Sequence, residues 1–88
     1  MTFWLYTESE APLIDGPFFS EDDVMISALW EFVGVCLWCE EHTGHGWRYE
    51  NVKWTEGGWF TTSAGERPVE PERPAFLLEG QPVLVGHD

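Results

Sequence analysis

The sequence predicts an α+β domain: one long central helix packed on a curled antiparallel sheet of about five short strands, in the order β-α-β-β-β-β. Three observations lead there. The stretch from Ser20 to Gly46 is long, strongly apolar and marked at both ends. The segments around it are short, aromatic and bounded by turn residues. Two turn clusters, Thr55-Glu56-Gly57-Gly58 and Glu79-Gly80-Gln81, divide the second half into hairpins.

The first strand is expected over Thr2 to Thr7, where aromatic and β-favouring residues alternate. Phe3 and Leu5 then face one way and Trp4 and Tyr6 the other, so both faces are expected to be covered. Glu8 to Phe18 reads as a loop, with Pro12 and Asp15-Gly16-Pro17 as turn chemistry and Leu13 and Ile14 tucked beneath it.

The helix is expected to begin at Ser20. Its hydroxyl can accept from an orphan N–H of the first turn, with Asp23 in the reciprocal position of a capping box. Glu21, Asp22 and Asp23 oppose the helix dipole, and Phe19 and Val24 have the spacing of a hydrophobic staple. His42, Gly44 and Gly46 supply a stop. At 100° per residue the apolar positions fill roughly two-thirds of the circumference. Leu29, Phe32, Val33 and Cys36 are expected at its buried centre. Trp38 falls instead in the polar arc with Glu31, Gly34 and Glu41. That placement predicts a homodimer through the central helix or a partner contact at Trp38.

Trp47 to Trp54 reads as the next strand, and Trp59 to Thr62 returns from the turn as its partner. Ser63 to Pro74 is too rich in proline for a central strand or a helix and is expected to run extended. Ala75 to Leu78 and Pro82 to Val85 read as a closing hairpin, with Pro82 at an edge.

The 88 residues make a single small acidic domain, 1–88. Sixteen acids against four Lys and Arg give a net charge of −12. Bare nucleic acid and anionic membranes are therefore excluded as direct ligands. A protein partner with a basic surface, such as a nucleic-acid-binding enzyme, is favoured. The candidate contact residues are Glu8, Glu10, Asp15, Asp22, Glu31, Trp38, Glu41, Glu66, Glu70 and Glu72. For the acids of the first helical turn, dipole compensation is a sufficient structural explanation. It does not account for the excess over the whole chain.

The alternative is a metal-binding regulatory domain. Cys36, Cys39, His42 and His45 are zinc-ligand residue types at three-residue spacing. Structural zinc sites usually draw two ligand pairs from separate elements, whereas these four lie within one short stretch. Two core cysteines followed by helix-terminal histidines are the favoured explanation of them. A third reading is an accessory subunit with no inhibitory role. The aromatic residues are expected in the core, since a base-stacking surface normally comes with a basic groove. No nucleophile arrangement, phosphate loop, GxSxG or HExxH is present, so neither an enzyme nor a cofactor is expected. The two cysteines and the absence of a basic n-region before an apolar run favour the cytoplasm.

In size, charge and absence of catalytic motifs the chain resembles, as a class, small acidic inhibitors: phage anti-restriction proteins, anti-CRISPR proteins and toxin-immunity proteins. The likeness rests on size and charge alone and assigns no residue. It implies a non-enzymatic protein that mimics nucleic acid and occupies the basic surface of its partner.

Overall fold

The computed structural model describes residues 1–61 and 72–78. Within them the chain is mostly antiparallel sheet, and the long central helix is absent. Strand β1 spans Thr2–Thr7 and β2 spans Ile14–Phe18. A short helix α1, Glu21–Met25, is followed by a 3₁₀ turn at Ala28–Glu31. Strands β3 (Val35–His42), β4 (His45–Tyr49), β5 (Val52–Thr55) and β6 (Gly58–Thr61) come next, and then the one-turn helix α2 (Ala75–Leu78). The first four strands form one sheet in the order β2-β1-β3-β4, and β5 and β6 form a separate hairpin.

The expected helix start is present and its continuation is not. Ser20 Oγ accepts from Asp23 N at 3.2 Å, as a capping residue should. The helix nevertheless ends at Met25. Ser27 then accepts from Leu29 N at 3.2 Å and donates to the buried Asp15 carboxylate, so its hydroxyl diverts the local chain from the α-helical ladder. Gly34 takes φ +74°, a left-handed turn that reverses the chain into β3. Between these points lie Trp30, Phe32 and Val33, and after them Val35, β-branched and aromatic residues that lose rotamer freedom in a helix.

Val35-Cys36-Leu37-Trp38-Cys39 is instead the centre of the sheet. It pairs with β1 on one side, Leu5 opposite Leu37, and with β4 on the other, Trp38 opposite Arg48. Both faces of this sheet are covered, so its central strand is apolar at every position, as a buried helix would be. On one face Phe3, Leu5, Val35, Leu37 and Cys39 pack with Val24, Leu29 and Val52. On the other, Trp4, Tyr6, Ile14, Cys36 and Trp38 pack with Leu77 and Phe76. The opposite-facing alternation expected in Thr2–Thr7 is therefore present.

Further corrections follow from the same architecture. Ile14–Phe18, expected in a loop, is edge strand β2. Trp47–Trp54 is two strands, broken at Asn51 with φ 50°. Ala75–Leu78 is a helical turn, not a strand. Leu29 and Cys36 are buried as expected, but Phe32 is only half-buried and Val33 is 97% exposed. Trp38, expected in a polar arc, is fully buried, because strand periodicity turns it inward. With no long helix among the described residues, the helix-mediated homodimer interface has no element to form on. The expected edge strand at Pro82–Val85 and most of the extended proline-rich segment lie outside the described residues. No helix among the described residues is long and apolar enough to cross a membrane.

Candidate functional site

The sheet face carrying Trp4, Tyr6, Cys36 and Trp38 is covered by the segment Glu72–Leu78, which brings charge onto an aromatic surface. Leu77 is buried there, and Phe76 stands edge-on to Tyr6 with ring centroids 5.2 Å apart. The Arg73 guanidinium lies 5.6 Å from the Trp4 ring centroid. Its Nε is 3.4 Å from Glu40 Oε2, and its Nη2 donates to the carbonyl of Leu77 at 3.3 Å. The same Glu40 oxygen accepts from Trp38 Nε1 at 3.3 Å and from Gly44 N at 3.1 Å. Glu40 thus ties the core tryptophan, the β3–β4 turn and the covering segment together.

Beside this cover a cleft of about 310 Å³ opens at the end of the sheet where β1 leaves into the Glu8–Leu13 loop. Tyr6 of β1 and Arg48 of β4 line it from either side of β3, Pro12 and Phe76 form apolar walls, and Glu8 and Glu72 belong to its lining. Arg48 is tied to Glu50 at 2.7 Å. The Tyr6 hydroxyl is buried and faces the Arg48 guanidinium and the Cys36 thiol, with which it interacts. Burial pushes its pKa above the ordinary tyrosine value, and the Cys36 thiol adds to the shift while Arg48 opposes it. Burial likewise raises the Cys36 thiol, with Glu8 acting in the same direction. Cys39, on the opposite face, is pushed up to about 12 by burial and then by Glu21. Both thiols are therefore held neutral, which removes the thiolate that nucleophilic or metal-binding chemistry needs.

The acidic candidates separate into groups. Glu8, Glu10, Asp22, Glu31, Glu41 and Glu72 are exposed. Asp15 is buried and accepts from Ser27, so it belongs to the fold. Trp38 is inaccessible and cannot serve as a contact. Glu66 and Glu70 lie outside the described residues. Glu8 and Glu10 leave one end of the sheet, where Thr7 pairs with Val35. Asp22 and Glu41 belong to the other end, where Phe3 pairs with both Phe18 and Cys39.

The metal alternative is not assembled. Cys36 and Cys39 are three apart on a strand and point to opposite faces, while His42 and His45 are exposed across the β3–β4 turn. Among the described residues no three His, Cys, Asp or Glu side chains converge as a metal site. Tyr6, Arg48, Arg73 and Phe76 are absent from the sequence-derived candidates. Arg48 and Glu50, two apart in a strand-like segment, were a readable sign of a same-face pair; nothing in the sequence joins Arg73 to Glu40. No protein-family model matches the chain, and neither the curated proteins nor the solved structures give a match.

Proposed function

We propose that this protein is a small acidic binding protein that inhibits a partner by occupying its basic, nucleic-acid-binding surface. The observation that supports the reading is how charge is sorted. Arg48 and Arg73 are both drawn into ion pairs on the covered aromatic face, at Glu50 and Glu40. Carboxylates dominate outside: Glu8, Glu10, Asp22, Glu31, Glu41, Glu56 and Glu72 are exposed, with Lys53 the exposed cation among the described residues. Among the described residues, two of the three Lys and Arg are thus paired with carboxylates, and the exposed charge is predominantly negative. Such a charge accelerates encounter with basic surfaces and disfavours nucleic acid itself.

The test is kinetic and competitive. A basic partner captured at low salt should associate at a rate that falls steeply as ionic strength rises through about 0.15 M, where the screening length is about 8 Å. The same partner should release its nucleic acid as this protein is added. A partner that holds nucleic acid and this protein together sinks the occupancy mechanism, and failure to recover a basic partner at low salt sinks the wider reading.

A further inference from the structure

We propose that Glu72–Leu78 is a strap that lifts off as a unit, uncovering Trp4, Tyr6, Cys36 and Trp38 while the sheet and the layer on its other face stay folded. The two faces are covered in different ways. On the face of Leu5 and Leu37 the cover is interlocked. Val24, Leu29 and Val52 reach that core from three separate elements. Ser27 ties the layer to the buried Asp15 of β2, and Trp30 Nε1 donates to the Val24 carbonyl. The Trp30 and Trp54 rings meet with centroids 6.0 Å apart, and β5 is itself paired with β6. Removing this layer breaks hydrogen bonds and packing in several elements at once.

The opposite face is covered, among the described residues, by one segment attached through side chains. Leu77 N donates to the Pro74 carbonyl at 3.0 Å, and Arg73 Nη2 to the Leu77 carbonyl at 3.3 Å, both within the segment. No backbone hydrogen bond joins it to the sheet among the described residues. Its anchors are the buried Leu77, the contact of Phe76 with Tyr6 and the Arg73 guanidinium over Trp4. The last anchor fits loosely, since Arg73 Nε lies 3.4 Å from Glu40 Oε2 and makes no hydrogen bond among the described residues. Helix α2 is a single turn, too short to persist without these contacts, so the anchors leave together. Few buried apolar contacts and no shared backbone ladder mark a unit that opens at a lower free energy than the whole fold.

The two cysteines report on the two faces. Cys36 belongs to the cluster that Leu77 closes, and Cys39 to the one beneath Val24 and Leu29. Both are 1% exposed, so neither thiol reacts in the closed fold, and opening of the strap exposes Cys36 alone. The test is alkylation of the full-length protein by iodoacetamide in native buffer, read at each cysteine by fragmentation mass spectrometry. Each rate is normalised to that of the same thiol in the urea-unfolded chain. Cys36 should react at least about tenfold faster than Cys39. Its rate should change little with urea below the unfolding transition while the Cys39 rate climbs, because the strap exposes little surface and global unfolding exposes much. Leu29→Ala, on the far face, should speed Cys39 on the order of a hundredfold and leave Cys36 within about twofold. Phe76→Ala should speed Cys36 about tenfold or more. Equal normalised rates with the same urea dependence overturn the strap, since both thiols then wait for the whole fold to open. Leu29→Ala speeding both thiols alike overturns it too, and the urea dependence of the wild type decides if that variant does not fold. A Cys36 rate unmoved by Phe76→Ala overturns the segment as the cover of this face.

Discussion

Glu40 shows how one residue holds two halves of this molecule. Its carboxylate oxygen meets Trp38 Nε1, Gly44 N and Arg73 Nε, while the residue itself is only 8% exposed. Removing it leaves the guanidinium of Arg73 over Trp4 without its counter-charge and the indole N–H without an acceptor. Breaking a buried pair from one side is costly. Glu40→Ala is therefore expected to lose about 3 kcal/mol in urea denaturation. Glu40→Gln, which keeps an acceptor for Trp38 and Gly44, should lose less. A loss within 0.5 kcal/mol for Glu40→Ala, the level of an ordinary surface substitution, would show that the contacts are solvated and the covering segment is held by Phe76 and Leu77 alone. Cys39 makes a second prediction, this time in pH. Its thiol ionises near 9.0 in an unperturbed chain and is pushed to about 12 by burial in the fold. Between those values the unfolded chain has released a proton that the folded chain keeps. Stability present below pH 9.0 is then lost as pH rises toward 12, by about 1.4 kcal/mol per pH unit for one such group. Tyr6 and Cys36, shifted the same way, steepen the loss. Denaturation midpoints measured from pH 8 to 11 should fall, and Cys39→Ala should flatten the fall. A wild-type midpoint independent of pH in that range contradicts the buried thiol.

At the scale of elements, the sequence was legible where local chemistry and tertiary context agree. Thr2–Thr7 alternates, pairs on both sides and has both faces covered, so its strand was readable to the residue. The Thr55–Gly58 turn carries its own signal, with Gly58 at φ +110° and Thr55 Oγ1 donating to the Gly58 carbonyl at 2.9 Å. Ser20 was readable as a cap because capping is a contact within one turn. What the cap could not announce was the length of the helix behind it. Glu21–Met25 is followed by residues whose all-round apolarity fits a helix wheel and a doubly covered strand alike. The apolar arc was itself the warning, since two-thirds of a circumference is more than a surface helix normally buries. The cleft was still less legible, because it joins Tyr6, Arg48 and Phe76 across the chain and charge alone marks only its acidic members. Gly46 offers a direct check of the strand assignment. In β4 it faces Glu40 at an irregular step in the ladder, and an added Cβ would fall 1.9 Å from the Cys39 carbonyl oxygen. That oxygen is backbone and cannot yield without parting the strands. Gly46→Ala is thus expected to cost about 3 kcal/mol. Gly34→Ala, at φ +74° with nothing within 4 Å, should cost only the left-handed strain, about 1–2 kcal/mol. If Gly46 merely terminated a helix, the two substitutions would cost similar amounts.

For the whole molecule, charge acts on folding and on binding with opposite signs, and that opposition is measurable. A net charge of −12 on 88 residues makes the compact state repel itself. The fold offsets part of this by separating its exposed acids between the two ends of the sheet, with Glu8 and Glu10 at one and Asp22 and Glu41 at the other. Self-repulsion between sites farther apart than about 10 Å is screened at 0.1 M salt. The melting temperature of the free protein should therefore rise as sodium chloride is increased from about 0.01 to 0.15 M, a range in which the screening length drops from about 30 to 8 Å. Association with a basic partner should weaken over the same range, because the same screening removes attraction between the two surfaces. Neither trend alone is diagnostic, since salt stabilises many highly charged proteins. The combination is: stability up, on-rate down, and dissociation rate changed far less than the on-rate. A melting temperature that falls with salt would mean that the ion pairs of Arg48 and Arg73 outweigh the repulsion among the acids. An on-rate that stays flat while stability rises would mean that the acidity serves the free protein only, and recognition would then have to rest on contacts other than charge.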